Sequence, residues 1–214
     1  MVNYGLKLRI FAIALAALSG YVDALGFIYL GGFFVSFMSG NSTRLGVGLV
    51  QDWHHALISG GLILAFVFGV FLGTLVAYRG SKGRSLSVLM LVTVLLTLAA
   101  ASHAGDTHSL AVALTAMAMG AINCIFVGSS GEVTTGVTYM TGTLVKLGQG
   151  LARNLVRPDK IKWGGYLWLW LGLIAGGLLG AAVYPVLELA ALWPAAVASL
   201  IIAVVAEKMN LREH

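Results

Sequence analysis

Asp23 is the only charged residue between Ile10 and Met38. A carboxylate in so long an apolar run suits taking up and releasing a proton, or drawing a cation; insertion scales set its cost at about 2.5–3.5 kcal/mol, which marks a functional group by default. The surrounding Gly20-Tyr21-Val22-Asp23-Ala24 finds a partner in Gly120-Ala121-Ile122-Asn123-Cys124, where neutral Asn123 stands in place of the acid. A second pair follows. Phe37-Met38-Ser39-Gly40-Asn41-Ser42-Thr43-Arg44-Leu45-Gly46-Val47-Gly48-Leu49 recurs as Tyr139-Met140-Thr141-Gly142-Thr143-Leu144-Val145-Lys146-Leu147-Gly148-Gln149-Gly150-Leu151, with hydroxyl, glycine, basic and leucine positions at one offset. Ser39, Asn41, Thr43, Thr141 and Thr143 offer hydrogen bonds to a small polar molecule, and Arg44 and Lys146 offer positive charge to an anion. Glu132, just ahead of the second copy, is a candidate to replace the acid that Asn123 lacks. These ten residues form the expected solute-binding set.

The elements that position them lie in a membrane. Hydrophobic residues make up 59% of the chain and charged ones 10%, against roughly a quarter charged in soluble domains. Six apolar stretches approach or exceed the roughly 20 residues that cross about 30 Å of hydrocarbon as helix: about 8–29, 54–78, 86–103, 109–128, 164–187 and 190–206. Little sequence lies outside them, so no soluble catalytic domain is expected. The first stretch has the look of a secretory leader, with Lys7 and Arg9 before a short apolar run, but its Gly20 and Asp23 have counterparts in the second copy and belong to the folded unit.

Basic residues set the orientation. With a cytoplasmic N-terminus, six crossings place Lys7, Arg9, Arg79, Lys82, Arg84, Lys146, Arg153, Arg157, Lys160, Lys162, Lys208 and Arg212 inside and leave Arg44 outside. The net charge of +5 is therefore a topogenic and lipid-facing signal, and nucleic acid is an unnecessary partner. Three crossings per half, an odd number, invert the second copy relative to the first. The fold class expected is all-α integral membrane, with six transmembrane helices, two re-entrant half-helices and two inverted-topology repeats. The first repeat covers 1–103, with its re-entrant piece at 31–50; the second covers 104–214, with its piece at 132–152. Both termini then face the cytoplasm.

The re-entrant reading comes from length. Ile10 to Met38 as one straight helix would span roughly 44 Å, beyond the hydrocarbon core, and Gly26, Gly31 and Gly32 supply places to break it. Extended backbone would dip inward and a short helix would start near Asn41, with Asn41 or Ser42 capping it and Thr143 capping its counterpart. Amides at such a start favour anions, and the irregular backbone must line a cavity or be packed by protein.

Other motifs carry less. The small residues Gly69, Gly73, Gly176 and Gly180, and similarly Gly46, Gly48, Gly148 and Gly150, allow close helix approach, first within the bundle and secondarily in a homodimer. His54, His55, His103 and His108 gather at the outer face with Asp106, yet they come from separate loops without helical metal spacing, so no metal is expected. Cys124 reads as packing and excludes an intramolecular disulfide. Trp163, Trp168, Trp170 and Trp193 read as interfacial anchors or core. No nucleotide loop, nucleophile elbow or zinc-protease motif occurs, so neither enzyme activity nor a cofactor is expected.

The Gly20–Ala24 element and Gly31-Gly32-Phe33-Phe34-Val35-Ser36-Phe37-Met38-Ser39-Gly40-Asn41 resemble the YoaK-type family of bacterial inner-membrane proteins of unknown function. Its members show Met-Thr-Gly-Asn where this chain has Ser39, a change that keeps the hydroxyl. The resemblance implies about six helices, an inner-membrane location and a transport role, without naming a solute. Together with paired broken segments, the strongest sequence pointer to a transport pathway, it leads to an expected secondary transporter of a small polar or anionic solute. Asp23 would couple it to protons, and access would alternate between the repeats. The rivals are a membrane scaffold or sensor, and a carrier of a cationic or neutral solute.

Overall fold

The computed structural model describes residues 5–79, 84–105, 107–126, 138–156 and 163–208. It is all-helical there: α1 (Leu6–Tyr29), α2 (Met38–Gln51), α3 (Trp53–Arg79), α4 (Arg84–Ala104), α5 (His108–Ala121), α6 (Met140–Val156), α7 (Gly164–Leu187) and α8 (Leu192–Lys208). Among the described residues, five segments are long and apolar enough to cross a membrane: Leu6–Tyr29, Trp53–Arg79, Ser85–Ala104, His108–Ile125 and Gly164–Lys208. Helix is what such sequence must adopt in hydrocarbon, because it satisfies every backbone polar group internally. The last segment runs 45 residues, roughly 68 Å if straight. It is broken by a 3₁₀ turn at Glu188–Ala191, where Glu188 has φ 48°, just after Pro185 withholds one helical donor.

Glycine ends α1. Gly31 (φ 65°) and Gly32 (φ 109°) take the left-handed region, Gly32 N donates to Phe27 O at 2.8 Å and Gly31 N to Ile28 O at 3.3 Å. This is a Schellman termination, which a β-carbon at the left-handed position would oppose.

Ring contacts fix helix directions. Phe11 at the start of α1 lies 5.8 Å from Phe126 beyond α5, while Tyr29 at its end lies 6.2 Å from His108 at the start of α5. Helices α1 and α5 are antiparallel. Phe33 sits 5.3 Å from His55, so α3 begins at the level where α1 ends. In contrast, α1 runs parallel to α7, with Ile13 against Gly172, Ala17 against Gly176 and Tyr21 against Gly180; α3 runs parallel to α5, with Gly69 against Met117 and Gly73 against Ala121.

Those contacts come in matched sets. A β-carbon on Gly20 would strike the Leu173 carbonyl, and one on Gly120 would strike that of Phe66; Gly176 meets Ala17 as Gly69 meets Met117; Gly180 meets Tyr21 and Ala24 as Gly73 meets Ala121 and Cys124. Gly48 abuts Ala56, and Gly150 abuts Trp163. Each pair keeps the offset of its own helix in the duplication. Only Gly46 and Gly148 depart from the expected close approach: no neighbouring element comes within 4 Å of where a β-carbon on either would sit. In the centre, Leu15, Leu25, Leu89, Leu96, Met119 and Ile122 are fully buried, and the Thr93 hydroxyl meets that of Ser199 at 2.9 Å where α4 crosses α8.

Candidate functional site

Asp23 lies six residues before the end of α1, about 9 Å back along its axis. There it holds the returning chain. Its Oδ1 accepts from Val35 N at 2.9 Å and Ser36 N at 2.8 Å, and Ser36 adds a side-chain hydrogen bond to the same carboxylate. Residues 30–37 therefore fold back to the level of Asp23 before α2 begins. Asn41, fully buried, closes the loop: its Nδ2 donates to Phe34 O at 2.6 Å and its Oδ1 accepts from Phe34 N at 3.1 Å.

The second copy repeats this clasp. Asn123 Oδ1 accepts from Thr138 N at 3.3 Å and from Thr138 Oγ1 at 3.0 Å, while its Nδ2 donates to Met119 O at 2.9 Å. Thr138 is the sequence counterpart of Ser36, and α6 starts two residues later as α2 does in the first copy. An acid holds one turn and an amide the other, by the same acceptor position and the same partner. Because α1 and α5 are antiparallel, with Phe11 beside Phe126, the clasps sit at different depths, roughly 12 Å apart along the bundle.

The expected caps are absent. Helix α2 starts at Met38, three residues earlier than expected, and has no side-chain cap. Asn41 reaches backward to Phe34 instead, and Ser42 donates to Met38 O at 2.8 Å, one turn back. Thr43 and Thr143 likewise donate to Ser39 O and Tyr139 O at 3.3 Å. Hydroxyls already inside a helix find the preceding turn's carbonyls nearer than its free amides.

The other expected residues are dispersed. Ser39 and Thr141 are exposed at the helix starts and Thr143 is buried. The Arg44 guanidinium stands 4.9 Å from the Phe33 ring centre and close to Gly32. Exposed Lys146 has its ammonium 5.9 Å from the Tyr166 ring centre. Among the described residues, neither pairs with Asp23; His55 pairs with Asp52 at 3.0 Å. Glu132 lies outside the described residues. No group of three metal-ligating side chains forms among them, although His103 and His108 approach Nδ1 to Nδ1 at 3.1 Å.

Two partners escaped the sequence reading: Ser36 and Thr138. The signal was present, since Val35-Ser36 precedes the first motif as Val137-Thr138 precedes the second, a hydroxyl in both copies.

The chain matches the family described as protein of unknown function (DUF1275) over residues 11–205. It belongs to that family. It is also 36% identical over 200 residues to the UPF0700 transmembrane protein RA0705 of Rhizobium meliloti (strain 1021), covering 93% of this chain and 86% of that protein. No solved structure matches significantly. Membership of DUF1275 and the apolar helices make this a multi-pass membrane protein. Along its side, between α1 and α7, runs an almost wholly apolar groove of about 360 Å³, with Asp23 among Phe27, Phe34, Leu173 and Ile174 at its wall.

Proposed function

We propose that this DUF1275 chain is a secondary transporter for a small polar solute, built from two inverted repeats, 1–103 and 104–214, that rock against each other. The observation that carries the reading is the duplicated clasp, Asp23 with Ser36 and Asn123 with Thr138, on antiparallel helices. Such pairs of broken segments are the pattern of alternating-access carriers. In this reading the fifth apolar segment folds as two crossings, giving six. Helices α2 and α6 are re-entrant, and both termini lie on the cytoplasmic face of a bacterial inner membrane. Asp23 carries the coupling proton. A scaffold would have no use for a paired interruption, and among the described residues no convergent acid–base set marks an enzyme.

The solute's charge divides the reading. An anion would draw on Arg44 and Lys146, which would have to leave the Phe33 and Tyr166 rings. A cationic or neutral solute would draw on Asp23, the acid of the duplicated clasp. Gly69 and Gly176 are covered within the chain, which leaves Gly46 and Gly148 as the motif glycines open to a second copy in a homodimer.

The test is to close one end. In a Cys124→Ala background, Tyr29→Cys and His108→Cys are bridged with a short bismaleimide across the ring contact of 6.2 Å. Alternating access predicts that a membrane-impermeant thiol reagent then loses Ser39→Cys from the outside and gains Thr141→Cys from the inside. Labelling unchanged at both positions would favour the scaffold.

A further inference from the structure

We infer that the bodies that move are two exchanged bundles, α1 with α6–α8 and α5 with α2–α4, and that the two clasps are the hinges joining them. This deepens the transport reading, on which it rests, by replacing the sequence halves with the units that travel together.

The helices do not pack by repeat. Among the described residues, α1 packs along α7 and α5 along α3, whereas α1 with α3 and α5 with α7 form no packed pair. The two packed pairs have no room to slide. A β-carbon on Gly20, Gly176 or Gly180 would strike backbone across the α1–α7 contact, and one on Gly69 or Gly120 would strike backbone across the α3–α5 contact. Elements packed this closely move as one piece. Further contacts extend each bundle. The Tyr21 hydroxyl donates to Ala191 O at 3.0 Å, tying α1 to the turn before α8, and Gly150 against Trp163 sets α6 at the start of α7. In the other bundle, Ser85 Oγ donates to Ile125 O at 3.5 Å and the Thr107 hydroxyl to Ser102 O at 2.8 Å, which ties α4 to α5 at both ends. Gly48 against Ala56 sets α2 beside α3.

Sorted this way, the chain crosses between bundles twice, from α1 to α2 and from α5 to α6. Those crossings are the clasped turns, bonded back to Asp23 through Val35 and Ser36 and to Asn123 through Thr138. Hinges are commonly a few such residues at the ends of elements. The first turn grips both bundles, because Phe34 is bonded to Asn41 of α2. Where the bundles face each other, Thr93 of α4 meets Ser199 of α8 at 2.9 Å. These two are counterparts, at matching distances after Leu86 and Leu192. A residue touching its own counterpart lies on the pseudo-two-fold axis. When inverted repeats trade conformations, that contact maps onto itself and stays in place, which makes it the pivot.

The experiment measures distances by pulsed EPR on the full chain in lipid nanodiscs, mildly acidic and mildly alkaline, in a Cys124→Ala background. Nitroxides go on four exposed positions, through Ile10→Cys, Tyr78→Cys, Leu110→Cys and Val186→Cys. Ile10 with Val186, and Tyr78 with Leu110, each lie within one exchanged bundle. Ile10 with Tyr78, and Leu110 with Val186, each lie within one sequence half and cross between bundles. The inference predicts that the first two pairs keep a single distance while the crossing pairs shift by several ångström or show two distances. Ser36→Ala or Thr138→Ala should broaden the crossing pairs alone. The opposite pattern, with the crossing pairs fixed and the others shifting, would overturn the exchange and leave transport by rocking halves standing. Four fixed distances in both conditions would sink the transport reading with it. Crossing distances indifferent to both alanine variants would remove the clasps as hinges.

Discussion

At the residue scale the clasp is a hydrogen-bond acceptor in both copies and a charge in one. Replacing Asp23 with Asn should therefore leave the fold intact, with a melting temperature within a few degrees of the native chain, and should flatten the pH profile of proton-coupled flux in proteoliposomes. A native pH profile in the variant would remove Asp23 from coupling. Ser36→Ala and Thr138→Ala each lose one hydroxyl bond while the backbone donor remains, at about 0.5–1.5 kcal/mol, and the two should be similar. Asn41→Ala should cost more, about 1–3 kcal/mol for each Phe34 backbone group left unsatisfied in a buried place; thermal unfolding in detergent ranks the three. Neutralising Arg44 or Lys146 to Gln should leave solute affinity unchanged if a cation is carried and weaken it if an anion is. Much of this scale was legible from the chain alone. Asp23, Asn123 and Asn41 stood out because polar side chains are rare in apolar runs. Ser36 and Thr138 were harder to find, because a single hydroxyl is common anywhere, and only its recurrence at the same offset distinguishes it. The caps were misread for a physical reason: a helix start is fixed by where the backbone turns, and here the Asp23 clasp turns it ahead of Asn41.

At the element scale the duplication is written in glycine. Gly48→Ala and Gly150→Ala would push a β-carbon into Ala56 and Trp163, whereas Gly46→Ala and Gly148→Ala meet open space. The first pair should destabilise; the second should be neutral, or stabilising by up to about 1 kcal/mol through helix propensity. Melting temperatures of the four variants, falling for Gly48 and Gly150 alone, would check the pairing. Sequence spacing does not separate these cases, since all four glycines sit in the same motif and differ only in which side of the helix a neighbour occupies. The apolar runs themselves were readable to within a few residues, because length and hydropathy decide them. The division of 164–208 into 164–187 and 190–206 was readable too, because Pro185 and Glu188 interrupt the run where the 3₁₀ turn forms.

At the scale of the whole molecule, two inverted halves with their broken helices entering from opposite faces make the central claim. Their ends give the test. Val50 at the end of α2 and Val156 at the end of α6 are 86% and 81% exposed, and neither takes part in a clasp. In a Cys124→Ala background, Val50→Cys and Val156→Cys are labelled in intact cells and in inside-out vesicles with a membrane-impermeant maleimide. Inverted repeats predict Val50→Cys modified from outside the cell and Val156→Cys only in the vesicles. Modification of both from one face would make the halves parallel and contradict the account.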